Sequence, residues 1–194
     1  MLFAMLVFAD RKSSSPQPWM IFSILVLLAV AGRVILEPLP NIQPVTAMVV
    51  IIAVLWGGSR AAAFGISVAI LSNLIMGHGI WTAYQAAAWT LIALVSGKAA
   101  NMFKDDLGSL LESRMVVLAF ISGFIFDWIV SISVLHTAEP AFLALYILNG
   151  LPFDLIHGVG NAAFVVWMAS PMANIIHRHS KLNATQSVNS DATA

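Results

Sequence analysis

Asp154, His157 and Asn161 stand at i, i+3 and i+7 in the stretch GLPFDLIHGVGNAAF. On a helix that spacing lays all three along one stripe. A carboxylate one turn from an imidazole can move a proton, offer two metal ligands or hold a polar ligand. Thr82, Gln85 and Trp89 repeat the same spacing, and Gln43 and Thr46 share a second helical face. Asp127 lies alone in the apolar run FIFDWIV, where a carboxylate must be protonated, paired or hydrated. Arg33 is its candidate partner. As metal ligands, Asp154 and His157 lack a clear third and fourth member unless His78 folds over them. No HExxH, Walker A, GxSxG or CxxC pattern accompanies these residues, and a hydrolase serine near His157 is not placed by the sequence. The chain therefore reads as a non-enzyme with no cofactor of its own.

The elements that position these groups belong to a membrane. Of 194 residues, 60% are hydrophobic and 9% are charged, and mean hydropathy is +0.91. A soluble domain carries about a quarter charged residues. The formal net charge is zero, with no basic patch to suit nucleic acid. The absence of cysteine excludes disulfides and thiolate chemistry.

Six apolar stretches reach or approach the roughly 20 residues that a spanning helix needs: 18–36, 43–57, 60–77, 82–103, 114–135 and 151–176. The predicted fold is all-α, an integral membrane six-helix bundle. AFLALYILNG (141–150) is too short to span and reads as a loop or re-entrant piece. Residues 1–17 read as a flexible leader, 18–178 as the helical domain, and the polar stretch 179–194 as a disordered tail.

Basic residues set the orientation. With both termini cytoplasmic, Arg11, Lys12, Arg60, Lys98, Lys104, Arg114, Arg178 and Lys181 all lie inside. The outer loops then hold no Lys or Arg. Polar side chains gather at that outer mouth: Asn41, Gln43 and Thr46 first, then Asn73, His78, Trp81, Thr82, Tyr84 and Gln85, and last Asn149, Asp154, His157 and Asn161. Each type also has a structural use. Asn, Gln, Thr and His hydrogen-bond between membrane helices, boundary Trp and Tyr form interfacial belts, and Asp154 near a helix start could cap it. Convergence at one mouth favours a binding site.

Three runs point to a family: LPNIQPVTAMVVIIAVLWGG, SNLIMGHGIWTAYQAAAWTLIALVSG and GLPFDLIHGVGNAAF. Over about residues 18–178 the chain resembles the substrate-binding (S) components of energy-coupling factor vitamin transporters, closest to the branch for cobalamin or its precursors. The resemblance implies capture of a vitamin-like small molecule, such as cobalamin or α-ribazole, on the outer side of the plasma membrane. It implies delivery through a transmembrane T component and two ATPase subunits. It also implies a site lined by Asn41, Gln43, Thr46, Asn73, Trp81, Gln85, Trp89, Asp127, Asn149, Asp154, His157 and Asn161. The strict Ala-x-x-x-Ala pattern typical of helix 1 in that family is missing. The rivals are a proton-coupled secondary transporter of a small heteroaromatic solute, using Asp127 and His157 as its relay, and an intramembrane enzyme or structural subunit.

Overall fold

The computed structural model of the chain describes residues 17–106 and 108–191. Among these it is all-helical, with six α-helices, short 3₁₀ turns and no strand beyond an isolated bridge between Lys104 and Leu110. The helices are α1 (Gln17–Ile35), α2 (Val45–Trp56), α3 (Gly58–Met76), α4 (Trp81–Lys98), α5 (Glu112–Ser131) and α6 (Leu143–Asp191).

The centre of the bundle is its shortest helix. All residues of α2 from Val45 to Val54 are buried, and α2 packs against each of the other five helices. Its side chains are apolar all round apart from Thr46, as a helix enclosed by other helices should be. At 12 residues it is about 18 Å long, too short to cross a hydrocarbon layer of about 30 Å. The outer helices invert the usual soluble pattern. Leu27 and Leu28 of α1, Leu74 and Ile75 of α3, Val117 and Ile121 of α5, and Leu155, Val159 and Val166 of α6 all face outward.

Three helical stretches are long and apolar enough to cross a membrane, Gly58–Met76, Glu112–His136 and Pro140–Ile176, which is consistent with a membrane protein. Trp19–Ile35 and Val45–Trp56 are apolar but shorter. The expected span at 82–103 is divided, with α4 ending at Lys98 and a 3₁₀ turn covering Ala100–Phe103.

The segment 141–150 corrects the sequence reading. It is not a loop: a 3₁₀ turn at Pro140–Phe142 opens directly into α6, and Gly150 and Pro152 lie inside that helix. Asn149, Gly150 and Pro152 look like punctuation in sequence. Proline removes one helical donor and crowds the preceding turn, yet the helix continues through both Pro152 and Pro171. The 49-residue helix that results also takes in most of the stretch read as a disordered tail. The leader up to residue 16 and residues 192–194 lie outside the described residues.

Two glycines set how α5 and α6 meet. A Cβ on Gly123 would stand 2.9 Å from the backbone nitrogen of Gly158, and one on Gly158 would stand 3.0 Å from the carbonyl oxygen of Phe120. Only backbone this bare lets Asp127 of α5 reach His157 of α6.

Candidate functional site: a polar-mouthed cavity over a hydrogen-bonded core

A cavity of about 620 Å³ opens where the α1–α2 loop, the start of α4, the end of α5 and the first turns of α6 converge. Its wall includes Asn41, Trp81, Asp127, Tyr146, Asn149 and Asp154. The basic residues Arg60, Lys98 and Arg114 belong to the opposite helix ends, at α3's start, α4's end and α5's start. Arg33, in the last turn of α1, is the exception: it sits among the polar residues, bonded to Gln43 and Ser72.

Asn41 reaches the wall through an unusual backbone. Its φ is +56°, in the left-handed region that Asn tolerates better than most residues. The turn aims its Nδ2 at Asp127 Oδ2, 3.2 Å away. The same Asp127 oxygen pairs with His157 Nδ1 at 2.9 Å. His157 Nε2 meets Thr46 Oγ1 at 3.2 Å, and Trp89 Nε1 donates to that hydroxyl at 3.0 Å.

Donor counting fixes one end of this chain. An indole N–H can only donate, so the Thr46 oxygen accepts from Trp89. The same hydroxyl can donate to His157 Nε2 or accept from it through its second lone pair, and His157 Nδ1 meets Asp127 on the other side. Four helices, α4, α2, α6 and α5, are tied through one line of bonds. The order carboxylate, imidazole, hydroxyl also matches a hydrolase triad. Thr46 is only 1% exposed, however, and does not line the cavity.

The other expected residues separate into distinct groups. Gln43 and Arg33 form one knot: Arg33 donates from Nε to Gln43 Oε1 at 3.0 Å and from an η nitrogen to Ser72 Oγ at 2.8 Å, with its guanidinium 5.4 Å from the Trp89 ring centroid. Arg33 is therefore not the partner of Asp127; His157 and Asn41 are. Asn73 and Gln85 form another knot, with Asn73 Nδ2 donating to Gln85 Oε1 at 2.7 Å and to Thr82 Oγ1 at 2.8 Å. His78 lies within 3.2 Å of the same Thr82 hydroxyl rather than over Asp154. Trp89 stacks on Phe126 at 4.7 Å, and Phe126 meets the His157 ring edge-on at 5.4 Å.

Asp154 is buried, 4% exposed, and accepts from Trp128 Nε1 at 2.9 Å. The helix containing it starts at Leu143, so Asp154 sits in its interior and caps nothing. Asn161 is wholly buried, and neither polar atom of its amide has a hydrogen-bond partner among the described residues. Of the twelve residues expected at the site, Asn41, Trp81, Asp127, Asn149 and Asp154 border the cavity. Thr46, Trp89 and His157 lie in the bonded layer behind Asp127, while Gln43, Asn73, Gln85 and Asn161 line none of it.

Sequence reasoning missed Tyr146, Phe153 and Ser131 on the wall, and Trp128 behind it. Tyr146, Asn149 and Phe153 are at i, i+3 and i+7. That stripe exists only because 143–153 is helical. Among the described residues, no group of three or more His, Asp or Glu could hold a metal ion. No protein-family model, curated protein or solved structure matches the chain.

Proposed function

We propose that the chain is the membrane-embedded capture subunit of an energy-coupling-factor-type importer. In this reading it is a multi-pass protein of the plasma membrane, with both termini cytoplasmic and the cavity facing outward. The supporting observation is the cavity itself. It lies at the end of the bundle away from Arg60, Lys98 and Arg114 and is walled by Asn41, Trp81, Asp127, Tyr146, Asn149 and Asp154. A volume of about 620 Å³ falls within the 300–1,000 Å³ range of small-molecule sites. Within the vitamin class, that size suits a nucleoside-like precursor such as α-ribazole better than an intact cobalamin. Aromatic walls with a few convergent polar groups suit a heteroaromatic solute. Outward-facing Leu, Val and Ile on the outer helices support residence in lipid.

Transport then requires a T component and two ATPases, since the chain itself has no nucleotide-binding motif. One observation favours a second reading: the direct Asp127–His157 contact, at 2.9 Å, is a ready proton relay for a secondary transporter.

The test is a thermal-shift panel on the purified protein with cobalamin, cobinamide, α-ribazole, riboflavin, thiamine, biotin and folate. A ligand that binds only the folded state raises the melting temperature by mass action. The capture reading expects one clear hit, and uptake in cells that survives collapse of the proton gradient while ATP is maintained. No shift from any of them in a folded sample, with uptake abolished by the loss of that gradient, would favour the relay.

A further inference from the structure

Arg33 is only 6% exposed, yet no Asp or Glu lies within ion-pair distance of it among the described residues. Asp127 is bonded to His157 and Asn41, Asp154 to Trp128, and Glu37, one turn beyond Arg33, is exposed. A guanidinium has five N–H donors and no acceptor. Nε donates to Gln43 Oε1 at 3.0 Å and Nη1 to Ser72 Oγ at 2.8 Å. Nη2 donates to nothing among the described residues. It is not enclosed either: the fully enclosed polar side-chain atoms without a partner belong, among the described residues, to Asn161. Nη2 therefore keeps both its donors at an accessible surface.

A charge taken out of water needs an opposite charge or hydrogen bonds to compensate it. Gln43 and Ser72 are neutral, and the Trp89 ring, centred 5.4 Å from the guanidinium carbon, attracts the cation without supplying an acceptor oxygen. A neutral carbonyl would satisfy Nη2 and leave the charge unbalanced. A carboxylate or phosphate oxygen does both, and the planar guanidinium is the side chain best matched to those groups. The frame around it is fixed. Ser72 is wholly buried and spends its one proton on the Val68 carbonyl at 2.6 Å, which leaves its oxygen to accept from Arg33. Gln43 stands two residues from Asn41, so this corner lies beside the cavity, although Arg33 is not part of the lining.

We infer that Arg33, framed by Gln43, Ser72 and Trp89, is an oxyanion site that takes a carboxylate or phosphate group on Nη2. Two sources share that chemistry, a small anionic solute and the phosphate of a lipid headgroup. The inference stands apart from the capture reading; under that reading, the same site gives an acidic solute an anchor beside the cavity.

The test follows the melting temperature of the full chain, purified in a phosphate-free maltoside detergent, in sodium phosphate, acetate or chloride at equal ionic strength. Phosphate and acetate should each raise it along a curve that saturates at millimolar concentration, and chloride should not. General salt effects do not saturate and do not need Arg33. Arg33→Gln should abolish the saturable rise, and Arg33→Lys, which keeps the charge without the planar fork, should weaken it about tenfold. The saturation and the comparison with chloride are read on the wild-type chain, so a poorly folding Arg33→Gln leaves the test intact. A rise without saturation, an equal response to chloride, a saturable rise that survives in Arg33→Gln, or no response to either oxyanion would each overturn the inference. Repeating the titration in phospholipid nanodiscs separates the sources. Phosphate that still binds there assigns the site to a solute, and binding seen in detergent but lost in the discs assigns it to a lipid headgroup. The vitamin panel reads the cavity separately, so failure of either reading leaves the other standing.

Discussion

Asp127 divides two polar regions that look alike in sequence. Inward from it, His157, Thr46 and Trp89 are closed on one another, and Asn73, Gln85 and Thr82 close a second knot. Outward from it, Asn41, Asn149, Tyr146 and Asp154 face open space. The inner set holds residues of several helices at fixed distances through bonds made within the protein. Bonds across helices mark the groups that build this bundle, and a place on the open wall marks those able to recognise a solute.

Mutations should separate the two regions, and the largest effect belongs to the inner one. Trp89→Ala removes a 2%-exposed ring stacked on Phe126 and should cost about 3–5 kcal/mol. Tyr146→Ala at the mouth should stay within about 0.5 kcal/mol. Melting temperatures of the purified variants would check both, and equal losses would erase the distinction. Next comes Thr46→Val, nearly isosteric, which leaves the Trp89 N–H without an acceptor and His157 Nε2 without a partner. A loss of about 1–3 kcal/mol is expected, with ligand affinity altered only as far as Asp127 shifts.

Asn161 should behave in the opposite sense. Its amide is buried without partners, so Asn161→Leu exchanges an unsatisfied polar group for an apolar one of similar size. Stability should hold or rise by about 1 kcal/mol, and a fall would indicate that Asn161 has a partner such as a buried water. The smallest stability effect is expected for Asn149→Ala. Its melting temperature should match wild type while affinity for the panel hit falls about tenfold, a loss of 1.4 kcal/mol in binding.

Much of the bundle was legible in the sequence, because apolar run length and helix punctuation are local signals. All six α-helices lie where apolar runs were read, and the α2–α3 joint falls at Gly57, whose φ of +96° suits glycine. The early start of α6 was not legible, since Asn149, Gly150 and Pro152 give the local signature of a break and only the tertiary setting overrides it. The Arg33 pairing failed for another reason. Spacing along one helix says nothing about which neighbour faces it, and Ser72 and Gln43 come from elements that no periodicity could align with Arg33. The stripe of Asp154, His157 and Asn161 was visible as a stripe. Its three members nonetheless have three situations, at the cavity wall, within a bonded relay and without any partner.

The central claim is that the polar mouth opens outward to receive a solute. The chain contains no cysteine, so single cysteines can be introduced without further engineering. Asn149→Cys at the cavity wall and Asn101→Cys at the opposite end of the bundle would each be exposed in intact cells to a membrane-impermeant maleimide. The account predicts that Asn149→Cys labels from outside, is protected by the panel hit, and that Asn101→Cys labels only after permeabilisation. Labelling of Asn101→Cys in intact cells with Asn149→Cys silent would invert the protein in its membrane and contradict outward capture.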